Sequence, residues 1–312
     1  MARALTVQFL SLLATLAVVL SLVFVAMRAL PGDAAAILGG VDATSAQVDD
    51  LRRQLGLDRP LLVQFGAWWS DVLRGDLGDS IRERRPVLQV IADRVPVTLA
   101  LAGFAFALAV VAGLGLGLLA GRRPGGRADA GVLGFTTLGL SLPEFWFGFL
   151  LILVFAVEFG WFPLIGYPTS GGAGVRAWHL VLPAVTLAIP RAAQLARLTR
   201  ARVLEELTAD YVRTARSKGV AAPGLTRHVA ANAFPGLLPL LALELGGLLT
   251  GTIVVEQVFG LPGLGLTLLG SISARDYPVV QGVTIVAVLV YVLVNWLADL
   301  AQVAADPRLR YG

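Results

Sequence analysis

Cysteine is absent from the whole chain, and lysine occurs once, at Lys218. The first absence excludes disulfide staples, iron–sulfur clusters and thiolate metal sites. The second excludes a phosphate-binding loop of the GxxxxGK(S/T) type, because Lys218 is followed by Gly219 and lacks the glycine frame. The chain is therefore not expected to hydrolyse a nucleotide by itself. Histidine is nearly absent too: His179 and His228 stand far apart and form no HExxH pair, and one histidine without neighbours is a poor metal site. Charge is also scarce. Only 15% of the 312 residues are charged, against about a quarter in ordinary soluble domains. Hydrophobic residues make up 56%, the mean hydropathy is +0.77, and the excess sits in long uncharged stretches. That pattern excludes a soluble globular enzyme.

A bilayer core about 30 Å thick needs roughly 20 apolar residues of helix to cross it. Six runs qualify: residues 4–27, 95–121, 131–157, 178–199, 236–255 and 277–298. The third is interrupted only by Glu144, the fourth contains Arg191 and the fifth contains Glu244. Arg3 alone precedes the first run and no small-residue cleavage pattern follows it, which predicts an uncleaved helix rather than a signal peptide. Arginine orients the six spans. With the N-terminus inside, the short cytoplasmic loops carry Arg122, Arg123 and Arg127, then Arg197, Arg200, Arg202, Arg213, Arg216, Lys218 and Arg227, and the tail adds Arg308 and Arg310. The short outer loops offer only Arg176 and Arg275. The long segment 31–96 holds eight arginines but ten acids, and long loops escape the positive-inside rule. Trp161, Trp178 and Trp296 fall at the expected interfaces. Both termini are expected to be cytoplasmic.

Two connections are too long to be simple turns. The outer one, 31–96, is punctuated at Pro31-Gly32-Asp33, Gly39-Gly40 and Gly75-Asp76-Leu77-Gly78. Between these, 45–55 and 61–73 read as helices, the second with Trp68 and Trp69 free to pack at a membrane surface. Its apolar content is too high for disorder, so it reads as a small ordered cap. In the cytoplasmic connection, 203–218 shows helical periodicity, with Leu204, Leu207, Tyr211 and Ala215 on one stripe. Gly219 stops that helix as a C-cap glycine, and Pro223 opens a second one to Ala233. Such a helix–glycine–helix hairpin either docks on a partner protein or lies on the membrane surface as an amphipathic element.

The motifs of this hairpin carry a resemblance. Asp210-Tyr211-Val212-Arg213-Thr214-Ala215-Arg216-Ser217-Lys218-Gly219, followed by Arg227-His228 and Asn232-Ala233-Phe234-Pro235, resembles the cytoplasmic loop of ABC importer permeases, in the version of the dipeptide, oligopeptide and nickel branch. Leu30-Pro31-Gly32-Asp33, Gly75-Asp76-Leu77-Gly78-Asp79-Ser80, Ser141-Leu142-Pro143-Glu144-Phe145-Trp146, Val255-Glu256-Gln257-Val258-Phe259, Arg275-Asp276-Tyr277-Pro278 and Asp306-Pro307-Arg308 agree in the same order. Many permeases read Glu-Ala-Ala six residues before the loop glycine; here those positions are Arg213-Thr214-Ala215, as is usual in the peptide branch.

The resemblance is to the B-type subunit of such a transporter. It implies an all-α membrane protein with the type I ABC importer permease fold: six transmembrane helices and a small extracytoplasmic cap between spans one and two. The expected division is 1–30 for the N-terminal segment and first span, 31–96 for the cap, 97–304 for the permease core including the coupling loop 200–235, and 305–312 for the tail. The implied partners are a second homologous permease, two cytoplasmic ATPase subunits that hold ATP and Mg, an extracytoplasmic solute-binding protein and membrane lipid. No cofactor is expected on this chain, and no nucleic-acid partner. The implied location is the inner membrane of a prokaryote. The coupling residues carried over are Asp210, Tyr211, Arg213, Thr214, Ala215, Lys218 and Gly219. The solute is a dipeptide or oligopeptide, with nickel or a metal chelate as the alternative inside the family.

Three ionisable residues lie within spans, where each costs about 2.5–3.5 kcal/mol at the bilayer centre. At 1.5 Å per residue, Glu144 lies roughly 20 Å from the cytoplasmic side, and Glu244 and Arg191 roughly 12 Å. Arg191 is expected to pair with Glu244 or Glu144. The set then either carries a net negative charge on the translocation pathway, suited to an ammonium group or divalent cation, or is a static pair that fixes packing. Gly246, Gly247 and Gly251 are expected to allow close helix approach in the fifth span. Glu256, Phe259 and Pro262, beside the glycine-rich 260–265, are candidates for an outer gate or for an ordinary re-entrant turn. No span holds the paired aspartates or Ser–His pair of an intramembrane enzyme, and no stretch resembles a channel filter. A membrane scaffold without transport is the reading from another class.

Overall fold

Uncharged apolar runs leave a chain in lipid only one way to satisfy its backbone over a single segment, the α-helix. The computed structural model describes residues 2–29, 35–36, 43–54, 56–168 and 170–305, and among them every extended element is helical, with one isolated bridge between Asp79 and Pro86. The motif Leu30-Pro31-Gly32-Asp33, the pair Gly39-Gly40 and the tail motif at 306–308 lie outside the described residues. The helices are α1 (Ala2–Ala29), α2 (Ser45–Gln54), α3 (Leu61–Leu73), α4 (Val87–Arg122), α5 (Arg127–Ser141), α6 (Glu144–Leu151), α7 (Ala173–Leu207), α8 (Asp210–Ser217), α9 (Ala222–Ala233), α10 (Leu238–Phe259), α11 (Leu264–Ser273) and α12 (Tyr277–Ala305). A π-helical stretch, Ile152–Glu158, continues α6, and a short 3-10 turn, Pro235–Leu237, leads into α10.

Three described helices are long and apolar enough to cross a bilayer: α4, α7 and residues 277–297 of α12. Three more segments qualify only as bent pairs, so the described residues hold three to six crossings. The third apolar run is one of these. It is bent by 106° between Arg127–Ser141 and Glu144–Glu158, where a single continuous helix was expected. The cause is Pro143, which has no N–H to donate and forces Leu142 into extended backbone at φ −101°, ψ 140°. The expected helix 203–218 is likewise two helices. α7 runs on to Leu207, the chain breaks at Ala209 with ψ 148°, and α8 starts at Asp210, whose charge suits a helix N-terminus.

The chain divides into two units. The first comprises residues 1–96 and 266–292. In it Phe24 of α1 packs on Phe65 and Trp68 of α3, with ring centroids 5.2 and 5.3 Å apart, and Trp69 meets Trp68 edge-on. Trp68 thus packs on α1, and Trp69 on Phe65 and Trp68 of its own helix. Arg28 lies 3.9 Å over the Phe24 ring and bonds Gln64 at 2.7 Å. Buried Asp276 gathers the turn 80–82: the Ser80 hydroxyl donates at 2.6 Å, and the backbone N–H groups of Ile81 and Arg82 at 3.2 Å each.

The second unit comprises residues 97–265 and 293–312. Its apolar core joins Leu101 and Ala105 of α4, Leu180, Leu182 and Leu187 of α7, and Leu248, Val255 and Phe259 of α10. Towards the other end of α7, a smaller cluster joins Val203, Val212 of α8 and Val229 of α9. The functional candidates all belong to this unit.

Candidate functional site

Helices α8 and α9 form the hairpin, and Gly219 makes its bend. Its φ is +76°, a left-handed value that lets the Gly219 N–H reach the Arg216 carbonyl at 3.0 Å and the Val220 N–H reach Ala215 at 3.1 Å. Valines anchor the hairpin to α7. Val203, Val212 and Val229 are each 1% exposed, whereas Leu204, Leu207, Tyr211 and Ala215, the expected stripe, are only half-buried. The break at Ala209 rotates α8, so that periodicity counted from α7 no longer holds on α8. Tyr211 donates its hydroxyl to Glu206 at 2.7 Å, and burial raises its phenol above the ordinary value, which keeps the proton in place. Asp210, Arg213, Thr214, Lys218 and Gly219 are exposed on the far side, and no atom lies within 4 Å of where a Gly219 side chain would begin. The hairpin therefore buries valines and presents charge and a bare glycine.

The base of α7 is clamped as well. Arg200 grips Asp129 with two bonds, at 2.5 and 2.9 Å, and the Gly125 N–H adds a third to the same carboxylate at 2.8 Å. A forked guanidinium–carboxylate pair of this kind fixes direction as well as distance. Asp129, 2% exposed, carried no signal in the sequence beyond lying at the start of an apolar run.

Higher on α7, Arg191 lies between both candidate acids. Its Nη2 is 3.0 Å from Glu144 Oε1, and its Nη1 is 3.6 Å from Glu244 Oε2. Glu144 opens α6, where the helix dipole favours a carboxylate. Glu244 is 2% exposed on α10, and its Oε2 makes no hydrogen bond. Gly247 and Gly251 follow Glu244 on the same face of α10. A Cβ at Gly247 would lie 3.4 Å from Arg191 Nη1, and one at Gly251 would lie 3.0 Å from Glu144 Oε2. These two glycines make room for the ion triplet, a function that composition alone did not reveal. One arginine against two acids leaves a formal charge of −1.

The third candidate set sits at the end of α10. Glu256 is fully buried, and Thr98 of α4 donates to it at 2.6 Å while accepting the Leu264 N–H at 2.8 Å. Gly260, with φ +60°, ends α10, and Gly263 lies directly on the carboxylate: a Cβ there would be 2.2 Å from Glu256 Oε1. Phe259 is 2% exposed, and its carbonyl accepts the Gly166 N–H at 2.8 Å; Pro262 is half-buried in the turn. Thr98 was missed. The only signal for it was a hydroxyl inside an apolar run.

The described residues hold no cluster of three or more His, Asp or Glu able to bind a metal. Residues 113–311 match the family described as binding-protein-dependent transport system inner membrane component, and residues 1–102 match the corresponding N-terminal family. The chain is 40% identical over 307 residues to a probable peptide ABC transporter permease protein of Sinorhizobium fredii, covering 97% of this chain and 98% of that one. It is 41% identical over 297 residues to a putative peptide transport system permease protein of Brucella abortus, covering 94% of each. It is also 40% identical over 306 residues to the glutathione transport system permease protein GsiC of Pectobacterium atrosepticum, covering 97% of each. Among solved structures, an inward-facing conformation of the MetNI methionine ABC transporter has a chain that superposes with a TM-score of 0.57 at 21% identity, covering 70% of this chain and 97% of that one. The last likeness is one of fold.

Proposed function

Because the chain belongs to the family of binding-protein-dependent transport system inner membrane components, we propose that it forms half of the translocation pathway of an ATP-driven importer of peptides. It is a transport permease, not an enzyme. The proposal gives it six spans, both termini in the cytoplasm of a prokaryote, a cap at 31–96 outside, and the core at 97–304. Its partners are a second permease of the same family, two ATPase subunits and a solute-binding protein. The peptide reading is supported by full-length relatives named for peptide and glutathione transport, glutathione being itself a tripeptide. Those names favour peptide over the nickel alternative, and a non-transporting scaffold has no support among them.

The observation that carries the mechanism is the hairpin: valines bind it to α7, while Gly219 and its charged neighbours face outward. Seated in a groove on an ATPase, α8 and α9 would transmit nucleotide-driven closure to α7. The Arg191 triplet then offers a substrate ammonium group a net negative charge. The test is to purify the complex and to measure peptide uptake in vesicles supplied with binding protein. Gly219→Leu places a side chain where no atom of this chain stands, at a left-handed strain of about 1–2 kcal/mol. Loss of ATPase co-purification and of uptake together is the expected result. Full retention of the ATPases by Gly219→Leu and Ala215→Trp would refute the docking role.

A further inference from the structure

Between the hairpin and the ends of α4 and α7 lies a groove of about 340 Å³. Leu118, Val203 and Val229 give it an apolar floor, and Arg122, Arg123 and Arg216 surround its mouth. Among the described residues no carboxylate pairs with these three guanidinium groups. The neighbouring acids are engaged elsewhere: Asp129 with Arg200, Glu205 with Arg202, Glu206 with Tyr211 and Asp210 with Arg213. Three exposed arginines thus border one apolar-lined groove without an acid paired to them, which gives it a positive rim suited to an anion. A small soluble anion would satisfy the arginines and leave the floor wet. A ligand with an anionic head and a hydrocarbon stem satisfies both.

We propose that this groove holds an anionic glycerophospholipid of the cytoplasmic leaflet, its phosphate on Arg122, Arg123 and Arg216 and its glycerol and first methylenes on the apolar floor. Basic pockets at the cytoplasmic ends of membrane helices are suited to such headgroups. The inference rests on the proposed topology for one point only, that this end of α4 lies at the inner headgroup layer. The lipid bridges the end of α4, at Arg122 and the following Arg123, to the hairpin, which carries Arg216. It therefore holds the hairpin in register with the membrane core.

The experiment uses the assembled transporter in phosphatidylcholine vesicles, with and without phosphatidylglycerol. Native mass spectrometry counts the phosphatidylglycerol retained, and ATP-driven uptake is measured in parallel. Each of R122Q, R123Q and R216Q should lower retention about fivefold, and the triple variant on the order of a hundredfold. R127Q, an exposed arginine outside the groove, should leave retention unchanged. Phosphatidylglycerol should stimulate uptake by the parent and not by the triple variant. If the triple variant fails to fold, the single variants carry the test. Equal retention by parent and arginine variants would overturn the proposal. So would stimulation by inorganic phosphate alone in phosphatidylcholine, which identifies a soluble anion. Loss of ATPase subunits from the arginine variants with lipid retention unchanged would also overturn it, assigning the groove to a protein partner. A parent complex that never retained ATPases would instead tell against the proposed function, and its lipid retention would still decide this inference.

Discussion

Gly113, Gly117 and Gly121 recur every fourth residue on α4, so they share one face. That face meets α7 with no space for a side chain. A Cβ at Gly117 would lie 2.5 Å from Thr199 Cβ and 2.6 Å from the Ala196 carbonyl oxygen. At Gly113 it would lie 2.5 Å from Leu195 Cβ, and at Gly121 2.6 Å from Val203 Cγ1. Ordinary contact begins near 3.4 Å, so Gly117→Ala must force the helices apart by about 1 Å. A gap of that size forfeits roughly a quarter to a half of each dispersion well along the seam. Overpacking of this kind costs about 1–3 kcal/mol. Against it stands alanine's helix propensity, a gain of about 1 kcal/mol.

Gly115 supplies the control, because it is on the same helix with nothing within 4 Å of its missing Cβ. Gly115→Ala keeps the propensity gain and meets no clash. The shared propensity gain cancels, so the two variants should differ by the overpacking cost alone, about 1–3 kcal/mol, or on the order of 5 °C in apparent Tm. Thermal unfolding of both in lipid nanodiscs, followed by tryptophan fluorescence, reads the difference. If Gly117→Ala melts at or above Gly115→Ala, the seam is not close-packed and the argument fails.

The remaining predictions concern the buried charges. Arg191→Gln leaves Glu144 and Glu244 without their cation and should cost about 3 kcal/mol, the low end for breaking a buried pair because Glu144 is 24% exposed; the double variant R191Q/E244Q should recover part of that loss in the same melts. Glu144→Gln should reduce peptide uptake without loss of folded protein, and unchanged uptake would assign the triplet to packing alone. Gly263→Ala drives a methyl group into Glu256 and should abolish uptake, with disordered near-ultraviolet dichroism if the turn opens. Ser80→Ala removes a 2.6 Å bond to buried Asp276 and should lower stability by about 1–2 kcal/mol, visible as faster proteolysis at 80–85.

How far the residues announce the structure depends on whether the cause is local. α3 falls on the expected 61–73, and α2 covers the described part, 45–54, of the expected 45–55, because punctuation by Thr44, Pro60 and glycine acts within a turn. Hydropathy located the apolar run 131–157 but says nothing about direction, and the 106° bend at Pro143 needed the proline to outweigh the run. The stripe on 203–218 failed for the same kind of reason, since one extended residue at Ala209 resets the helical phase. That Arg191 must find an acid follows from the cost of burying it. That it finds both depends on Gly247 and Gly251, whose role exists only once α10 lies beside α6 and α7.

These positions share one carrier. Arg191, Arg200, Val203 and Leu207 all belong to α7, a single helix of 35 residues. Arg191 joins it to α6 and α10, Arg200 to α5, and Val203 to the hairpin. From Val203 to Arg191 is about 18 Å of uninterrupted helix, with Pro183 and Pro190 both lying N-terminal to Arg191. A helix interior free of proline and glycine over that length does not bend sharply. Motion imposed on the hairpin must therefore reach the ion triplet as rotation or translation of a rod, and the prolines place any flexure beyond it. A shift of the rod is costly at the triplet, because displacing Arg191 takes Glu144 and buried Glu244 away from their cation. In the proposed function, alternation between two states would use the triplet as a contact that is stable in each arrangement and costly in between.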